Sequence, residues 1–301
     1  MSNILNDIKQ KYKNGNLLIK VIFVNVGVYL AMVLLNIFSK LIVGEQGTSF
    51  VEKYIFPYFA LHTDLLHVLI KPWTLITHQF VHDLGIGHLF GNMLLLYFLG
   101  SMFLNYFSQK QLFGLYLLGG LIGAVTLITV ANLSPLFTEE ITAIGASAAV
   151  MAIAIAVCSY APKNQVFLLG VFKVQLQWIG LALLVMDLSF FYDGNTGGHI
   201  AHLGGAATGF WFASSIKKGK DITTRINKII TYVSLLPQVF KKKSKLKVAH
   251  SNVRNMSDDQ YNEVRKATQE EVDAILDKIG KNGYESLSKS EKEILFKFSK
   301  K

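Results

Sequence analysis

Among the polar or ionisable side chains that interrupt apolar stretches of this sequence, six are singled out as candidates for function, because such groups are costly in lipid. They are His88, Asn92, Ser147, Asp187, His199 and His202. A serine hydroxyl attacks a peptide carbonyl when a base removes its proton and hydrogen-bond donors stabilise the oxyanion. Ser147 could supply the hydroxyl and His202 the base. His88 and Asn92 are residues i and i+4 of one helix face and could supply the donors.

The composition indicates that these residues lie in a membrane protein. Hydrophobic residues make up 51% and charged residues 17% of the 301 positions, whereas a soluble domain has about 25% charged residues. The apolar residues fall into runs close to the roughly 20 residues that a helix needs to cross the hydrocarbon core. The six candidate spans are Val21–Val43, Gly87–Phe107, Leu112–Ala131, Ile144–Ala161, Gln177–Phe191 and Gly198–Ile216. We therefore expect an all-α membrane protein with a six-helix transmembrane bundle.

The lysines predict the orientation of the spans, because short cytoplasmic loops carry an excess of basic residues. Lysines precede the first span and follow the sixth, so both termini are expected in the cytoplasm. Spans two, four and six then run from outside to inside, and the candidate residues lie near the start of each. At a rise of about 1.5 Å per residue they lie within roughly 10 Å of the outer edge of the core. We expect Ser147, His202 and the pair of donors to converge at this depth.

Small residues favour close approach around the serine and the histidine. Gly145 and an alanine precede Ser147, which leaves room for a substrate backbone and places the serine N–H near a helix start as a further donor. Small residues also recur at every fourth position of the sixth span, at Ala201, Gly205 and Gly209. This spacing lets two helices pack closely and is expected to carry His202 toward the fourth span.

Three motifs occur in order on the second, fourth and sixth spans. They are His88-Leu-Phe-Gly-Asn92-Met93, Gly145-Ala-Ser147, and Ala201-His202-Leu-Gly-Gly205 followed by Gly209. In these motifs the sequence resembles the rhomboid intramembrane serine proteases, over about residues 20 to 216. The resemblance implies that Ser147 is the nucleophile and His202 the general base, in a dyad without an aspartate. It implies that His88 and Asn92 line the oxyanion hole together with the Ser147 amide.

The resemblance also carries expectations about substrates and surroundings. It implies that single-span membrane proteins reach the site sideways from the lipid and are cut near their outer membrane edge, with no cofactor. It implies a bacterial inner membrane, in which the lysine pattern places both termini in the cytoplasm. The long segment between the first two spans, with Lys71-Pro-Trp-Thr74, resembles the half-submerged first loop of the family, although the family often has Arg after that Trp.

Two residues beside the serine depart from the family pattern. Ala148 stands where the family usually has Gly, and its methyl group is expected to be a small intrusion. Met151 stands where some members have a Tyr that packs on the catalytic histidine, so His202 is expected to be held less rigidly. Gly145, Met151, His78 and His82 are further candidates beside the site.

Several polar residues also fit roles other than catalysis by Ser147 and His202. His199 is the nearest competitor for the base, but it precedes the Ala-His-x-x-Gly pattern and is expected at the wet edge of its span. Asp187 is expected to be a hydrogen-bonded structural group. His78 and His82 have the i, i+4 spacing of helical zinc proteases, but Gln79 stands where their Glu base is needed. We therefore expect no metal site, and structural or water-holding roles for both histidines.

A second function from another class fits the same motifs. A catalytically silent rhomboid-like protein could bind membrane proteins and pass them to other machinery, with its tail as an adaptor. An intact serine and histidine at matching depth favour the protease.

The sequence as a whole is expected to form four regions. Residues 1–20 form a cytoplasmic N-terminal segment, 21–216 the membrane domain, 217–255 a basic linker with a possible amphipathic helix, and 256–301 a small cytoplasmic helical hairpin. The run Lys241–Lys247 is either a solvated linker or a contact with anionic lipid, and nucleic-acid binding is not expected. Capping-box patterns begin at Thr268 and at Ser288 and predict two short helices, turned at Asn282-Gly283.

Overall fold

A computed structural model describes residues 6, 10, 12–44, 50–168, 171–191, 194–239 and 258–298. The chain divides into two compact units, Met1–Leu236 and Pro237–Lys301. In chain order the elements up to residue 239 are α1 (Leu17–Val43), α2 (Phe50–Tyr54), α3 (Phe56–Phe59), β1 (Leu61–His62), α4 (Leu65–Ile70), α5 (Thr74–Thr77), a 3-10 helix (His78–Phe80), α6 (Ile86–Phe103), α7 (Gln109–Leu133), β2 (Thr142–Ala143), α8 (Ser147–Tyr160), β3 (Gln165–Leu168), β4 (Phe172–Gln175), α9 (Leu176–Ser189), α10 (Thr196–Lys217) and α11 (Thr224–Val239).

Each of the six predicted spans is a helix: α1, α6, α7, α8, α9 and α10. By length and composition, α1, α6 and α7 are sufficient to cross a membrane, while α8 and α9 are apolar but have only 14 residues each. The prediction of an all-α membrane bundle is confirmed, and the two short β ribbons lie in its loops. The fourth helix begins at Ser147 instead of Ile144.

Capping side chains explain where three of the long helices begin, because they satisfy backbone N–H groups that have no acceptor within the helix. Asn16 accepts from the Ile19 N–H of α1 at 3.0 Å. Ser108 accepts from the Gln111 N–H of α7 at 3.2 Å, and Gln111 Oε1 accepts from the Ser108 N–H at 2.9 Å. Asn195 caps α10 in the same manner as Asn16 caps α1.

The helix α8 lies at the centre of the bundle and packs on α6, α7, α9 and α10. Its sequence is rich in alanine, and most of its 14 residues are buried. Short side chains allow four helices to approach one helix closely. The serine at the first position of α8 is therefore held by the best-packed part of the molecule.

Glycines set the distance between α8 and its two closest neighbours. A Cβ atom at Gly205 of α10 would lie 2.1 Å from the Ala148 carbonyl oxygen, and one at Gly209 would lie 2.2 Å from the Ala152 carbonyl oxygen. On α7, a Cβ atom at Gly119 would lie 2.4 Å from the Ala152 Cβ atom of α8. The predicted close packing of the sixth span on the fourth is confirmed.

Replacing Gly205 is expected to destabilise the bundle, because its new methyl group would meet the backbone of α8, which cannot move aside. For Gly205→Ala we expect a loss of about 1–3 kcal/mol in the free energy of unfolding. The matched control is Gly27→Ala in α1, where no atom lies within 4 Å of the new Cβ and a gain of up to about 1 kcal/mol is expected. The single cysteine, buried Cys158, reports unfolding when it reacts with a thiol-sensitive dye. Equal melting temperatures for the two variants would contradict the packing described.

The segment between α1 and α6 is ordered over residues 50–85. The Trp73 indole N–H donates to the Tyr58 carbonyl at 2.7 Å, and the Lys71 ammonium donates to the Pro57 carbonyl at 2.6 Å. The helix α4 exposes four large apolar side chains, Leu65, Leu66, Leu69 and Ile70. Such a face suits contact with lipid, as expected for a half-submerged loop.

The second unit contains α12 (Asp258–Asn282), a 3-10 helix (Tyr284–Ser286) and α13 (Lys289–Phe298). The prediction that a helix starts at Thr268 is wrong, because α12 already runs through that position. The second capping box is confirmed, since the Ser288 N–H donates to Glu291 at 2.7 Å and the Ser288 hydroxyl accepts from the Glu291 N–H at 3.3 Å. The run Lys241–Lys247 lies outside the described residues, so its predicted lipid contact stays a prediction.

Candidate active site

The serine and the histidine are in direct contact. Ser147 is the first residue of α8, and His202 lies on the second turn of α10. The His202 Nε2 atom lies 2.6 Å from the Ser147 Oγ atom. The glycine packing of α10 on α8 explains this approach, since it brings the backbones close enough for the two side chains to meet. An imidazole nitrogen at this distance can accept the hydroxyl proton.

A carboxylate lies on the other side of the histidine. The Asp187 Oδ1 atom, on α9, lies 2.5 Å from His202 Nδ1 and 2.7 Å from His199 Nδ1. The expectation that Asp187 is hydrogen-bonded is confirmed, but its partner is the candidate base. The alternating direction of the spans was the available signal, because the C-terminal end of α9, where Asp187 lies, is expected on the same side of the membrane as the N-terminal ends of α8 and α10.

These contacts decide the tautomer of His202. A carboxylate only accepts hydrogen bonds, so His202 Nδ1 must carry the proton and donate it to Asp187. The lone pair of Nε2 then faces the Ser147 hydroxyl, as a general base requires. His199 does not lie at a wet edge as predicted. It is buried, with 8% of its surface exposed, and it donates to the same carboxylate oxygen.

The two candidate oxyanion donors lie on one face of α6, next to the serine. The Asn92 amide nitrogen donates to the His88 carbonyl at 2.9 Å, which leaves its second N–H available. A Cβ atom at Gly145 would lie 2.7 Å from His88 Nε2 and 3.9 Å from Ser147 Oγ. Gly145 also has a φ of 114°, which side chains rarely adopt. Glycine therefore leaves a space bounded by the imidazole of His88 and the serine hydroxyl.

His78 and His82 do not form the helical pair that their spacing suggested, because the chain forms a 3-10 helix at His78–Phe80 and then leaves the helical conformation. His78 Nδ1 donates to the Thr74 carbonyl at 2.9 Å. The His82 ring packs edge-on against His88, with ring centroids 5.1 Å apart. Burial lowers the pKa of both His78 and His82 to about 4, so both rings are neutral at neutral pH.

A cavity of about 230 Å³ opens onto the serine and the histidine between α6, α8, α9 and α10. Asn92, Met151 and Asp187 line it together with Ser147 and His202. Met151 lies one turn after the serine and provides an apolar wall.

The methyl group of Ala148 does not intrude on the site, contrary to expectation. A Cβ atom at Gly123 would lie 2.8 Å from the Ala148 Cβ atom, so this methyl group points toward α7. The glycine of α7 makes room for the side chain that departs from the family pattern.

Two groups of side chains among the described residues could hold a metal ion. They are the Asp187, His199 and His202 group and the His62, His67 and Glu140 group. The first is already engaged in the hydrogen bonds described above. The second is formed by residues between α1 and α6 and between α7 and α8, and shares no residue with the first.

Comparison with known families gives two matches. Residues 69–218 match the rhomboid domain, which covers all of the candidate site residues. Residues 257–301 match a family of unknown function (DUF6576).

Several curated proteins are similar to this chain. RHOMBOID-like protein 12, mitochondrial, of Arabidopsis thaliana is 33% identical over 159 residues, which cover 49% of this chain and 47% of the relative. The presenilin-associated rhomboid-like proteins, mitochondrial, of Bos taurus and Homo sapiens are 30% and 29% identical, over 48% and 49% of this chain and 38% of each relative. The chain thus matches less than half the length of each relative.

These relatives contradict the predicted cellular location. All of them are named as mitochondrial proteins. The prediction of a bacterial inner membrane, which came from the resemblance, is therefore wrong, and with it the placement of the termini in a bacterial cytoplasm. The motifs surround the membrane-embedded site and reflect its chemistry. Because this chemistry is the same in any membrane, the motifs do not indicate which membrane contains the protein.

Proposed function

This chain belongs to the rhomboid family, and from that premise we propose that it is an intramembrane serine endopeptidase. The proposal rests above all on the 2.6 Å contact between His202 Nε2 and Ser147 Oγ at a cavity inside the helix bundle. The family includes serine intramembrane proteases that act on membrane proteins. Ser147 is the proposed nucleophile and His202 the proposed general base.

In the proposed reaction, Ser147 Oγ attacks the carbonyl carbon of the scissile bond while its proton passes to His202 Nε2. The C–N bond then breaks, and the imidazolium gives this proton to the leaving nitrogen. A water molecule, deprotonated by His202 Nε2, then attacks the ester carbon. The bond to Ser147 Oγ breaks, and the imidazolium returns the proton to this oxygen. Each proton transfer uses the same nitrogen, so the position of one imidazole controls both halves of the reaction.

The oxyanion of the tetrahedral intermediate needs donors on the side of Ser147 that His202 does not occupy. The Ser147 N–H is at the first position of α8 and has no acceptor within the helix, and the positive end of the helix dipole lies there. The free N–H of Asn92 and the His88 ring border the same space. We assign the Ser147 and Asn92 N–H groups to the oxyanion hole. The His88 Nδ1 atom lies 2.7 Å from the Asp83 carboxylate, so His88 Nε2 joins them as a donor only when the ring is an imidazolium.

Asp187 is the proposed positioning residue for His202. Its carboxylate holds Nδ1 protonated and stabilises the imidazolium that forms when Nε2 takes the serine proton. In place of the dyad implied by the resemblance, we propose a chain of three groups, Ser147, His202 and Asp187. This contact also compensates for Met151, which cannot stack on the imidazole as an aromatic ring would.

The proposed substrates are single-span membrane proteins that reach the site from the lipid between α6 and α9. A second, apolar cavity of about 300 Å³ lies between these helices, and Trp178 lines it. It shares four lining residues with the cavity at the serine: Leu95, Leu99, Leu183 and Met186. Two neighbouring cavities with a shared apolar wall suit a transmembrane segment better than a soluble peptide.

A fluorophosphonate probe tests the proposal directly, because it forms a covalent bond only with an activated serine. We expect labelling of the purified protein at Ser147, located by mass spectrometry, and loss of labelling in His202→Ala. A folded protein that does not react would favour the silent membrane-protein binder over the protease. Heat-denatured protein provides the control for non-specific reaction.

A further inference from the structure

A second group of candidate ligands lies among the loops, separate from the proposed active site. His62 belongs to β1, His67 lies on α4, and Glu140 lies two residues before β2. Their possible ligand atoms all lie within 4.8 Å of one another. The proposed hydrolysis uses none of the three.

The two imidazoles carry nitrogens without a partner. His62 Nδ1 lies 2.8 Å from Glu140 Oε1, and the rings of His62 and His67 stack with centroids 4.0 Å apart. The Nε2 atoms of both histidines are buried, and neither has a hydrogen-bond partner within the described part of the chain. Buried polar atoms are almost always bonded, so two such nitrogens on neighbouring rings point to a ligand.

The backbone positions of all three residues are fixed by local hydrogen bonds. Strand β1 pairs with β2, with His62 opposite Thr142. Thr63 Oγ1 accepts from the Ile141 N–H at 2.9 Å, directly after Glu140. The Asp64 carboxylate accepts from the His67 N–H at 2.8 Å and so caps α4. His62 and Glu140, which are 78 residues apart in the sequence, are therefore neighbours before any ion binds.

We propose that His62, His67 and Glu140 bind one divalent first-row transition ion of the Zn²⁺ class. Two imidazoles and one carboxylate form a ligand set that such ions prefer, with water as a fourth ligand. Tetrahedral ligands at about 2.0–2.2 Å from zinc lie roughly 3.4 Å apart. On binding, the His62–Glu140 pair, now at 2.8 Å, must therefore separate slightly, and any pair near the 4.8 Å limit must move closer. The Glu140 side chain is 47% exposed and can rotate toward the imidazoles.

The position of the site suggests that a bound ion would stabilise the segment that leads to the serine. The strand after Glu140 leads within a few residues to Gly145 and Ser147. An ion bound there would tie the first loop to the segment that places the serine. Binding should therefore raise the melting temperature of the protein, whether or not the protein is a protease.

Titration with Co²⁺ tests the site, because Co²⁺ replaces Zn²⁺ and gives visible absorption that depends on the coordination geometry. We expect full-length, metal-stripped protein without an affinity tag to bind one Co²⁺ ion tightly, with the absorption of a four-coordinate site that Zn²⁺ removes. His62→Asn and Glu140→Gln should each weaken binding at least tenfold and abolish the rise in melting temperature. Because the Glu140 side chain is half exposed, Glu140→Gln should fold even if His62→Asn does not.

The matched control is Glu139→Gln, which removes the neighbouring carboxylate of the same loop and should leave Co²⁺ affinity unchanged. His199→Asn tests the other candidate group. Absence of Co²⁺ binding, unchanged affinity in Glu140→Gln, or loss of binding in His199→Asn instead would each overturn the proposal.

Discussion

Ser147→Ala is expected to abolish cleavage of a single-span membrane protein reconstituted with this protein in lipid vesicles. The variant lacks the oxygen that forms the acyl-enzyme, and removing the nucleophile of a serine protease lowers kcat by about 10⁴-fold or more. Little structural change should accompany the loss, since the hydroxyl contacts His202 at the wall of an open cavity. Cleavage products are quantified by gel electrophoresis of a labelled substrate.

The matched control is Ser159→Ala, at the other end of the same helix, which should cleave as the unmodified protein does. Thermal unfolding, reported by Cys158, shows whether Ser147→Ala has folded. If folded Ser147→Ala cleaves at the unmodified rate, Ser147 is not the nucleophile and the proposed function fails. If the unmodified protein itself cleaves no reconstituted substrate and does not react with the fluorophosphonate probe, the silent binder is favoured.

Asp187→Asn is expected to lower kcat by about 10²- to 10⁴-fold with little change in KM. An asparagine amide can donate to His202 Nδ1, which stabilises the tautomer whose Nε2 carries a proton and cannot accept one from Ser147. The imidazolium would also lose its carboxylate partner. Rates measured over a range of substrate concentration and pH separate this effect from weaker substrate binding, because a positioning defect changes kcat and its pH profile.

His199→Asn is the matched control, because His199 contacts the same Asp187 oxygen but not Ser147. Its effect on kcat should be no more than a few-fold. Equal losses in the two variants would indicate that the Asp187 network only holds α9 and α10 together. An unchanged kcat in Asp187→Asn would show that Ser147 and His202 act as a pair and that Asp187 does not assist them.

Much of the bundle follows from local properties of the chain. Hydrophobic runs near 20 residues predict where helices cross the membrane, and the spacing of glycines predicts which face packs closely. Gly205 and Gly209 illustrate this, since their contacts with α8 are those that the four-residue repeat indicates. The start of α8 was less certain, because Ile144 and Gly145 are apolar or small and yet lie outside the helix.

The direction in which a side chain points around its helix was harder to predict. The methyl group of Ala148 was expected to intrude slightly on the site, but it points toward Gly123 on α7. Asp187 was expected to be structural, since the sequence does not show that α9 faces α10 at that level. Thr268 matches a capping box, yet α12 continues through it because the residues before it are already helical.

The sequence by itself determined the six hydrophobic spans, the polar residues within them and the common depth of Ser147, His202, His88 and Asn92. These properties depend on composition and on the constant rise of a helix. Only the tertiary structure decided that Asp187 contacts His202, and that His62 and His67 meet Glu140. Such contacts depend on the rotation of each helix about its axis and on which loops become neighbours. Both are set by the packing of all the helices together, and no single segment encodes them.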